Sequence, residues 1–162
     1  MIISSIYKTA DNDGLIAHIY EHLLAQYVLK RLQDNGFFVL SDIILSAKTY
    51  GDTCFMDAEL YSPEAKKTYD EALREFDKLV IPEDDILRAA GECGIEMNRN
   101  IAEVDRSELS KKLREVQISP WRKQIDMAYR KAHDESSVNT LFRTSYIKYS
   151  KESDDLFREC VL

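Results

Sequence analysis

The segment LIAHIYEHLLAQYVLKRL, residues 15–32, decides the fold because its apolar side chains recur every three or four positions. This spacing is that of an amphipathic helix, which buries one face against a core. The cluster Asp11-Asn12-Asp13-Gly14 precedes the segment and can begin a helix, whereas Asp34-Asn35-Gly36 follows it and can end one. The sequence therefore predicts a long helix from about Gly14 to Gln33.

Strands and shorter helices are predicted around this helix. Residues 1–8, 37–45 and 53–61 have the composition of strands, and Gly51-Asp52 is typical of a hairpin turn between the last two. Four further helices are predicted over residues 63–79, 83–101, 107–116 and 120–132, and a returning strand over residues 141–149. This order predicts one α+β domain over residues 1–162, with an antiparallel-rich sheet and helices packed on one face.

Composition and charge narrow the functional classes. Of the 162 residues, 44% are hydrophobic and 31% are charged, which is typical of a globular chain. The formal net charge is -7, which disfavours binding to nucleic acid or to an anionic membrane. Since the sequence has neither a secretory signal pattern nor an apolar run of membrane-spanning length, we expect a cytoplasmic protein.

The three cysteines, Cys54, Cys93 and Cys160, are scattered along the chain and lack the close spacing of a thiolate metal site. Their odd number fits a reducing compartment better than a disulfide framework. We therefore expect them to be buried free thiols.

Two of the three histidines lie inside the long predicted helix, in His18-Ile19-Tyr20-Glu21-His22. Residues four apart on a helix lie one above the other, so His18 and His22 can aim their imidazoles at one point, with Glu21 on the adjoining edge. Zinc accepts such ligands, and a catalytic zinc keeps one position for a water whose proton a nearby glutamate can take. The order is the inverse of the commoner zinc-protease helix motif. The alternative is a helix with partly buried, hydrogen-bonded histidines and a solvated Glu21.

The stretch from Gly14 to Leu24 resembles the zinc helix of the pitrilysin/insulinase family of metallopeptidases. The segment Ser46-Ala47-Lys48-Thr49 is similar to the Asn-Ala-x-Thr edge strand of that family, with Ser46 in place of the usual Asn. The resemblance is clearest over residues 14–99 and implies a fold similar to one domain of a pitrilysin-type peptidase. It also implies that the peptide substrate lies extended along the edge strand formed by Ser46, Ala47, Lys48 and Thr49.

The resemblance further implies a third zinc ligand, a glutamate on a later helix. Glu96 follows His22 after 73 intervening residues, and its context, Ile95-Glu96-Met97, is similar to that of the family ligand. Glu92 lies one turn earlier and is either a partner that orients a ligand or the ligand itself. For both glutamates, the alternative is an exposed helical carboxylate without a metal.

Together these residues imply a zinc metalloendopeptidase that hydrolyses short or unfolded peptides. Zn²⁺ would be held by His18, His22 and Glu96, and Glu21 would be the general base that activates the zinc-bound water. Because enzymes of the family resemble clamshells assembled from several such domains, a homodimer or a separate partner chain is expected to complete the active-site chamber. The alternative is a catalytically inactive relative, in which the fold serves as a peptide-binding or assembly module.

Overall fold

In a computed structural model of the chain, residues 2–9, 14–98, 105–117 and 122–126 are described. The chain divides into two compact units, Met1–Ile125 and Asp126–Leu162, and all described residues except Asp126 belong to the first. This unit has an α+β fold, as the sequence predicts. The strand predicted over residues 141–149 lies outside the described residues, and one domain over residues 1–162 stays a prediction.

Four strands form one sheet: β1 (Ile2–Lys8), β2 (Ile43–Tyr50), β3 (Thr53–Leu60) and β4 (Arg122–Asp126). Their order across the sheet is β2-β3-β1-β4. β3 pairs in the antiparallel direction with both β1 and β2, and the register places Thr49 of β2 opposite Cys54 of β3. Since β2 stands at one end of this order, it is an edge strand among the strands that the structure describes.

The described residues also form four helices: α1 (Leu15–Asp34), α2 (Pro63–Phe76), α3 (Glu83–Glu96) and α4 (Arg106–Gln117). Of these, α1 and α2 contact the sheet. α1 contacts the other three helices as well as β2 and β3, so it lies at the centre of the unit. The shared core includes Leu24 of α1, Met56 of β3 and Phe76 of α2, all almost fully buried. Each such side chain contributes about 1.5–3 kcal/mol of hydrophobic stabilisation. None of the helices in the described ranges combines the length and the apolar character that a membrane crossing requires.

The start of α1 is fixed by a close approach of two backbone segments. Gly14, directly before the helix, has a φ of 76°, in the left-handed region that favours glycine. A Cβ atom at Gly14 would lie 2.7 Å from the carbonyl oxygen of Gly51, in the turn between β2 and β3. Non-bonded carbon and oxygen atoms do not approach so closely, so only glycine fits. The first turn of α1 is thereby held against the hairpin turn, which brings the histidine motif near the end of β2.

α2 begins as the sequence predicts, and α4 is tied to its other end. The hydroxyl of Ser62 accepts a hydrogen bond from the Ala65 amide at 3.0 Å, and Pro63 follows directly as the first helical residue. At the other end, Nε2 of the buried Gln117 donates to the carbonyl oxygens of Phe76 and Leu79, at 2.7 Å and 3.1 Å. The last carbonyl groups of a helix have no donor within the helix, and Gln117 of α4 provides one here.

The strand predicted over residues 37–45 is wrong over residues 37–42. β2 begins only at Ile43, because the preceding residues form a turn. In this turn the carboxylate of Asp42 accepts a hydrogen bond from the Phe38 amide at 2.9 Å, and Leu40 has a φ of 73°. An Asp side chain that bonds to nearby backbone competes with strand pairing, and apolar composition alone does not reveal this.

Two later predictions also need correction. α3 ends at Glu96 and does not continue through Ile101, since Asn98 adopts a φ of 50° that a helix cannot contain. The helix predicted over residues 120–132 is wrong at residues 122–126, which form β4. Pairing with β1 gives this segment the backbone hydrogen bonds of the sheet, and that tertiary contact overrides its local helical preference.

Candidate metal centre

The two histidines of the motif lie together on one face of α1. Their ring centroids are 4.8 Å apart, and the rings meet edge to face. The side chains of His18 and His22 are 16% and 15% exposed, so both are largely sheltered but still reachable from solvent. The helical spacing of four accounts for this pairing, which the sequence analysis anticipated.

α3 crosses this face of α1 in the antiparallel direction. Glu96, at the end of α3, lies beside His18, near the start of α1. Glu92, one turn earlier on α3, lies beside His22 and Gln26, further along α1. The crossing therefore brings two carboxylates to the two imidazoles from a segment far away in the sequence.

Glu96 faces both imidazoles through their Nε2 atoms. Its Oε2 is 3.1 Å from Nε2 of His18, and its Oε1 is 3.6 Å from Nε2 of His22. Two ligand atoms of a tetrahedral zinc site, with bonds of about 2.0–2.1 Å, lie about 3.3 Å apart. The observed separations lie on either side of that value. The side chain of Glu96 is 56% exposed. The cluster formed by His18, His22, Glu92 and Glu96 is therefore open to solvent on this side.

Glu92 contacts the other ring nitrogen of His22. Its Oε2 lies 3.1 Å from Nδ1 of His22, and Nε2 of Gln26 donates to the same oxygen at 3.1 Å. A carboxylate at Nδ1 favours the tautomer that carries its proton there, which leaves the lone pair of Nε2 directed toward Glu96. In this arrangement Glu92 orients His22, and Glu96 is the carboxylate that faces the two nitrogens.

Arg88 extends the contacts of Glu92 toward the surface. Its Nη1 donates to Oε1 of Gln26 at 2.5 Å and lies 3.8 Å from Oε1 of Glu92. Its Nη2 donates to Asp85 at 2.8 Å. A continuous set of polar contacts therefore runs from His22 through Glu92 and Gln26 to Arg88, and it restricts the positions that Glu92 can adopt.

Glu21 is buried on the side of α1 that faces the sheet. It is only 8% exposed, and its Oε2 accepts a hydrogen bond of 2.5 Å from the hydroxyl of Thr49 in β2. Burial of a carboxylate is costly unless such donors compensate for lost water. Burial is the main cause that raises the pKa of the Cys54 and Cys93 thiols, and the negative charge of Glu21 raises both pKa values further. The carboxylate is thus close enough to interact with both β3 and α3.

The four residues of the predicted substrate strand divide between the two faces of β2. Successive side chains of a strand point to opposite faces, so Ala47 and Thr49 share one face and Ser46 and Lys48 the other. Thr49 faces α1 and contacts Glu21, whereas Nζ of Lys48 lies 3.8 Å from a carboxylate oxygen of Asp57 in β3. The structure therefore joins Thr49 to Glu21 of the histidine motif, whereas Lys48 contacts the neighbouring strand.

Cys93 also lies at the two histidines, although the sequence alone does not identify it as a site residue. Its Sγ and one nitrogen each of His18 and His22 lie within 4.8 Å of one another. Burial, followed by the charges of Glu96, Glu21 and Glu92, raises the pKa of its thiol to about 12. In the absence of a metal, Cys93 is therefore a neutral thiol at ordinary pH.

The helical spacing contained a signal for Cys93. It precedes Glu96 by three residues and so shares a face of α3 with it. A single cysteine without a second one nearby gives no metal-binding pattern, and only the fold shows what that face contacts. Cys54 and Cys93 are buried and free, as predicted, while Cys160 lies outside the described residues.

The donor set of this cluster fits zinc. Two imidazole nitrogens and a carboxylate match the three protein ligands of many catalytic zinc sites, and the Cys93 thiol adds a soft donor that zinc also accepts. The carboxylates of Glu92 and Glu96 also contact the two imidazoles, and that of Glu21 lies close enough to act on the Cys93 thiol. A divalent cation would offset the repulsion among these negative charges.

Comparison of the chain with protein-family models gives no match, and comparison with curated proteins gives no significant match either. The similarity to the pitrilysin/insulinase family therefore rests on the motif residues alone.

Proposed function

We propose that this chain is a zinc-dependent metalloendopeptidase of the pitrilysin/insulinase type, acting on short or unfolded peptides. The observation that carries the proposal is the convergence of His18 and His22 of α1 with Glu96 of α3, at separations that suit a tetrahedral ion. The same helical motif contains a buried glutamate, which a metallopeptidase needs as its base. A structural ion pair between helices would not need this second carboxylate.

His18, His22 and Glu96 would hold the metal. When bound, zinc polarises the carbonyl of the scissile peptide bond and makes water a stronger nucleophile. Glu92 keeps His22 in the tautomer whose Nε2 can bind a metal, and Gln26 and Arg88 hold Glu92 in place. The ligands are thus positioned by two rigid helices.

Glu21 would act as the general base. It would take a proton from the attacking water and return it to the leaving amine, which requires a carboxylate near the metal that is not itself a ligand. The hydrogen bond from Thr49 fixes the orientation of this carboxylate. Thr49 is therefore a positioning residue that links the base to the strand proposed to bind substrate.

β2 would bind the substrate by pairing with an extended peptide. Among the strands that the structure describes, it pairs with β3 alone, so its other side presents backbone groups that can add a strand. A peptide on this side near Thr49 would pass close to Glu21. The exposure of Glu96 also leaves one side of the cluster open, and a second copy or a separate partner chain is proposed to cover it.

The first experiment measures zinc per chain in protein purified without added metal or a chelating tag. We expect about one zinc, lost in His22→Ala and kept in His133→Ala, which removes a histidine outside the motif. A folded protein that is metal-free and also fails to take up added zinc would overturn the proposal.

The second experiment screens zinc-loaded protein against a peptide library. We expect cleavage that Glu21→Gln abolishes while the zinc content stays the same, because glutamine cannot accept the proton. Glu71→Gln on α2, distant from the cluster in sequence, should cleave as the natural protein does. Zinc-loaded protein that binds peptides without turnover would instead support the inactive peptide-binding relative.

A further inference from the structure

We propose that Cys93 binds the same metal through its sulfur, so that in the substrate-free protein the ion is held by His18, His22, Cys93 and Glu96. This inference rests on the proposed function and adds a resting state to it. Four protein ligands fill a tetrahedral zinc site, whereas a catalytic site keeps one position open. The resting protein would therefore hold its metal in a closed form, from which one ligand must leave before substrate binds.

The distances permit this fourth ligand. Sγ of Cys93 and the nitrogens of His18 and His22 all lie within 4.8 Å of one another. In a tetrahedral site with zinc–sulfur bonds of about 2.3 Å and zinc–nitrogen bonds of about 2.0–2.1 Å, sulfur and nitrogen lie about 3.6 Å apart. The sulfur would therefore have to approach the imidazoles by at most about 1.2 Å to reach this separation.

Cys93 and Glu96 both reach the histidines from α3 but differ in burial. They are three residues apart on α3 and share the face that packs on α1. Cys93 is fully buried, whereas the Glu96 side chain is 56% exposed. A metal between the imidazoles would therefore have sulfur on its inner side and the carboxylate on its solvent side, so that the two ligands do not compete for one position.

The negative charge around Cys93 explains why its thiol would lose the proton only when a metal ion is bound. Glu21, Glu92 and Glu96 already place three carboxylates around Cys93, and a thiolate would add a fourth negative charge. A bound divalent cation would offset these negative charges and favour the thiolate, because metal ions deprotonate the thiols that coordinate them. As the metal–sulfur bond forms, the thiol gives its proton to the buffer, and neither atom changes its oxidation state.

Cobalt titration of the full chain, first freed of metal, tests the inference. We expect one Co²⁺ per chain and a thiolate-to-cobalt charge-transfer absorption in the near ultraviolet. Cys93→Ala should lose this absorption and still bind Co²⁺ through the remaining ligands, with a lower affinity. Cys54→Ala is the matched control, since Cys54 is also buried and free but is not among the three clustered ligand atoms. It should retain the absorption.

The outcomes separate this inference from the proposed function. One bound Co²⁺ without the charge-transfer absorption in the natural protein would overturn the role of Cys93 and leave the proposed function standing. A chain that binds neither cobalt nor zinc would overturn both. If Cys93→Ala does not fold, Cys93→Ser, a variant of closer size, gives the same test, and retention of the absorption in that variant would overturn the role of Cys93.

Discussion

Thr49 is a single residue that connects the sheet to the histidine motif. Its hydroxyl donates to Glu21, 28 positions earlier in the chain, across the contact between β2 and α1. Buried carboxylates lose their hydration, so each remaining donor has a large effect on their stability. Removing this one donor should therefore affect both the folded state and the proposed base.

Thr49→Val keeps the shape of the side chain and removes the donor. We expect the free energy of unfolding to fall by about 1–3 kcal/mol, measured by urea denaturation, and peptide cleavage to slow. Thr68→Val on α2 is the matched control and should change the free energy of unfolding by less than about 0.5 kcal/mol. If Thr49→Val is as stable as the natural protein, the hydrogen bond to Glu21 does not contribute as described.

At the same scale, the histidine motif and Cys93 show which contacts of the candidate site can be predicted from the sequence and which depend on the fold. The pairing of His18 with His22 follows from local helix geometry, and the sequence alone predicts it. The approach of Glu96 was expected only through a family resemblance, because spacing within one helix says nothing about a second helix. The sequence predicts Cys93 only as a buried free thiol, since its contact with the imidazoles arises from the antiparallel crossing of α1 and α3.

Among the elements, the contact between α1 and the β2–β3 turn depends on Gly14. Gly14→Ala should lower the free energy of unfolding by about 1–2 kcal/mol for the left-handed φ, and by more because the new Cβ meets the Gly51 carbonyl. Gly36→Ala provides the control, because Gly36 has a φ of 83° but nothing within 4 Å of its Cβ position. Equal losses for the two variants, measured by urea denaturation, would show that the close approach is not needed.

α1 and α2 are joined by an ion pair that titrates. Nε and Nη2 of Arg31 donate to the two carboxylate oxygens of Glu75, at 2.8 Å and 3.1 Å, and the Tyr27 hydroxyl donates at 3.1 Å. The hydrogen bond from Arg31, assisted by that from Tyr27, lowers the pKa of Glu75 below its ordinary value of 4.5. Because the folded pKa is the lower one, this contact stabilises the fold above about pH 4.5 and is lost as the pH falls through the folded value.

Glu75→Gln should therefore lower the free energy of unfolding at neutral pH. As the pH falls, this free energy should decrease less in the variant than in the natural protein. The measurement is urea denaturation at a series of pH values from 7 to 3, with the difference between variant and natural protein plotted against pH. Glu115→Gln, at an exposed position of α4, should show a smaller difference. A difference for Glu75→Gln that is constant across this range would contradict the direction of the pKa shift.

The elements that the sequence predicts well are those with local signals. The apolar period of α1, the Ser62-Pro63 start of α2 and the Gly51-Asp52 turn all appear where expected. The failures have tertiary causes. Residues 122–126 form a strand because β1 is available for pairing, and the apolar residues before β2 form a turn because Asp42 bonds to the Phe38 amide. Neither partner is visible in the local sequence.

At the scale of the whole molecule, the proposed metal site would couple metal binding to folding. An ion that binds the folded state alone stabilises it by about 2.7 kcal/mol at a concentration of 100 times its Kd. We therefore expect added zinc to raise the midpoint of thermal unfolding of the natural protein and to leave His18→Ala unchanged. His133→Ala should respond as the natural protein does. A natural protein whose midpoint does not move with zinc would lack the proposed site.

The long chain segment between the two halves of the cluster has a consequence for folding rates. His22 and Glu96 are separated by 73 residues, so a metal held between them closes a large loop. Because distant contacts form at a cost in chain entropy, we expect this loop to close late in folding, after α2 and the hairpin. Interactions that are absent from the transition state slow unfolding and hardly change refolding. Zinc should thus lengthen the lifetime of the folded state and leave the speed at which it forms nearly unchanged.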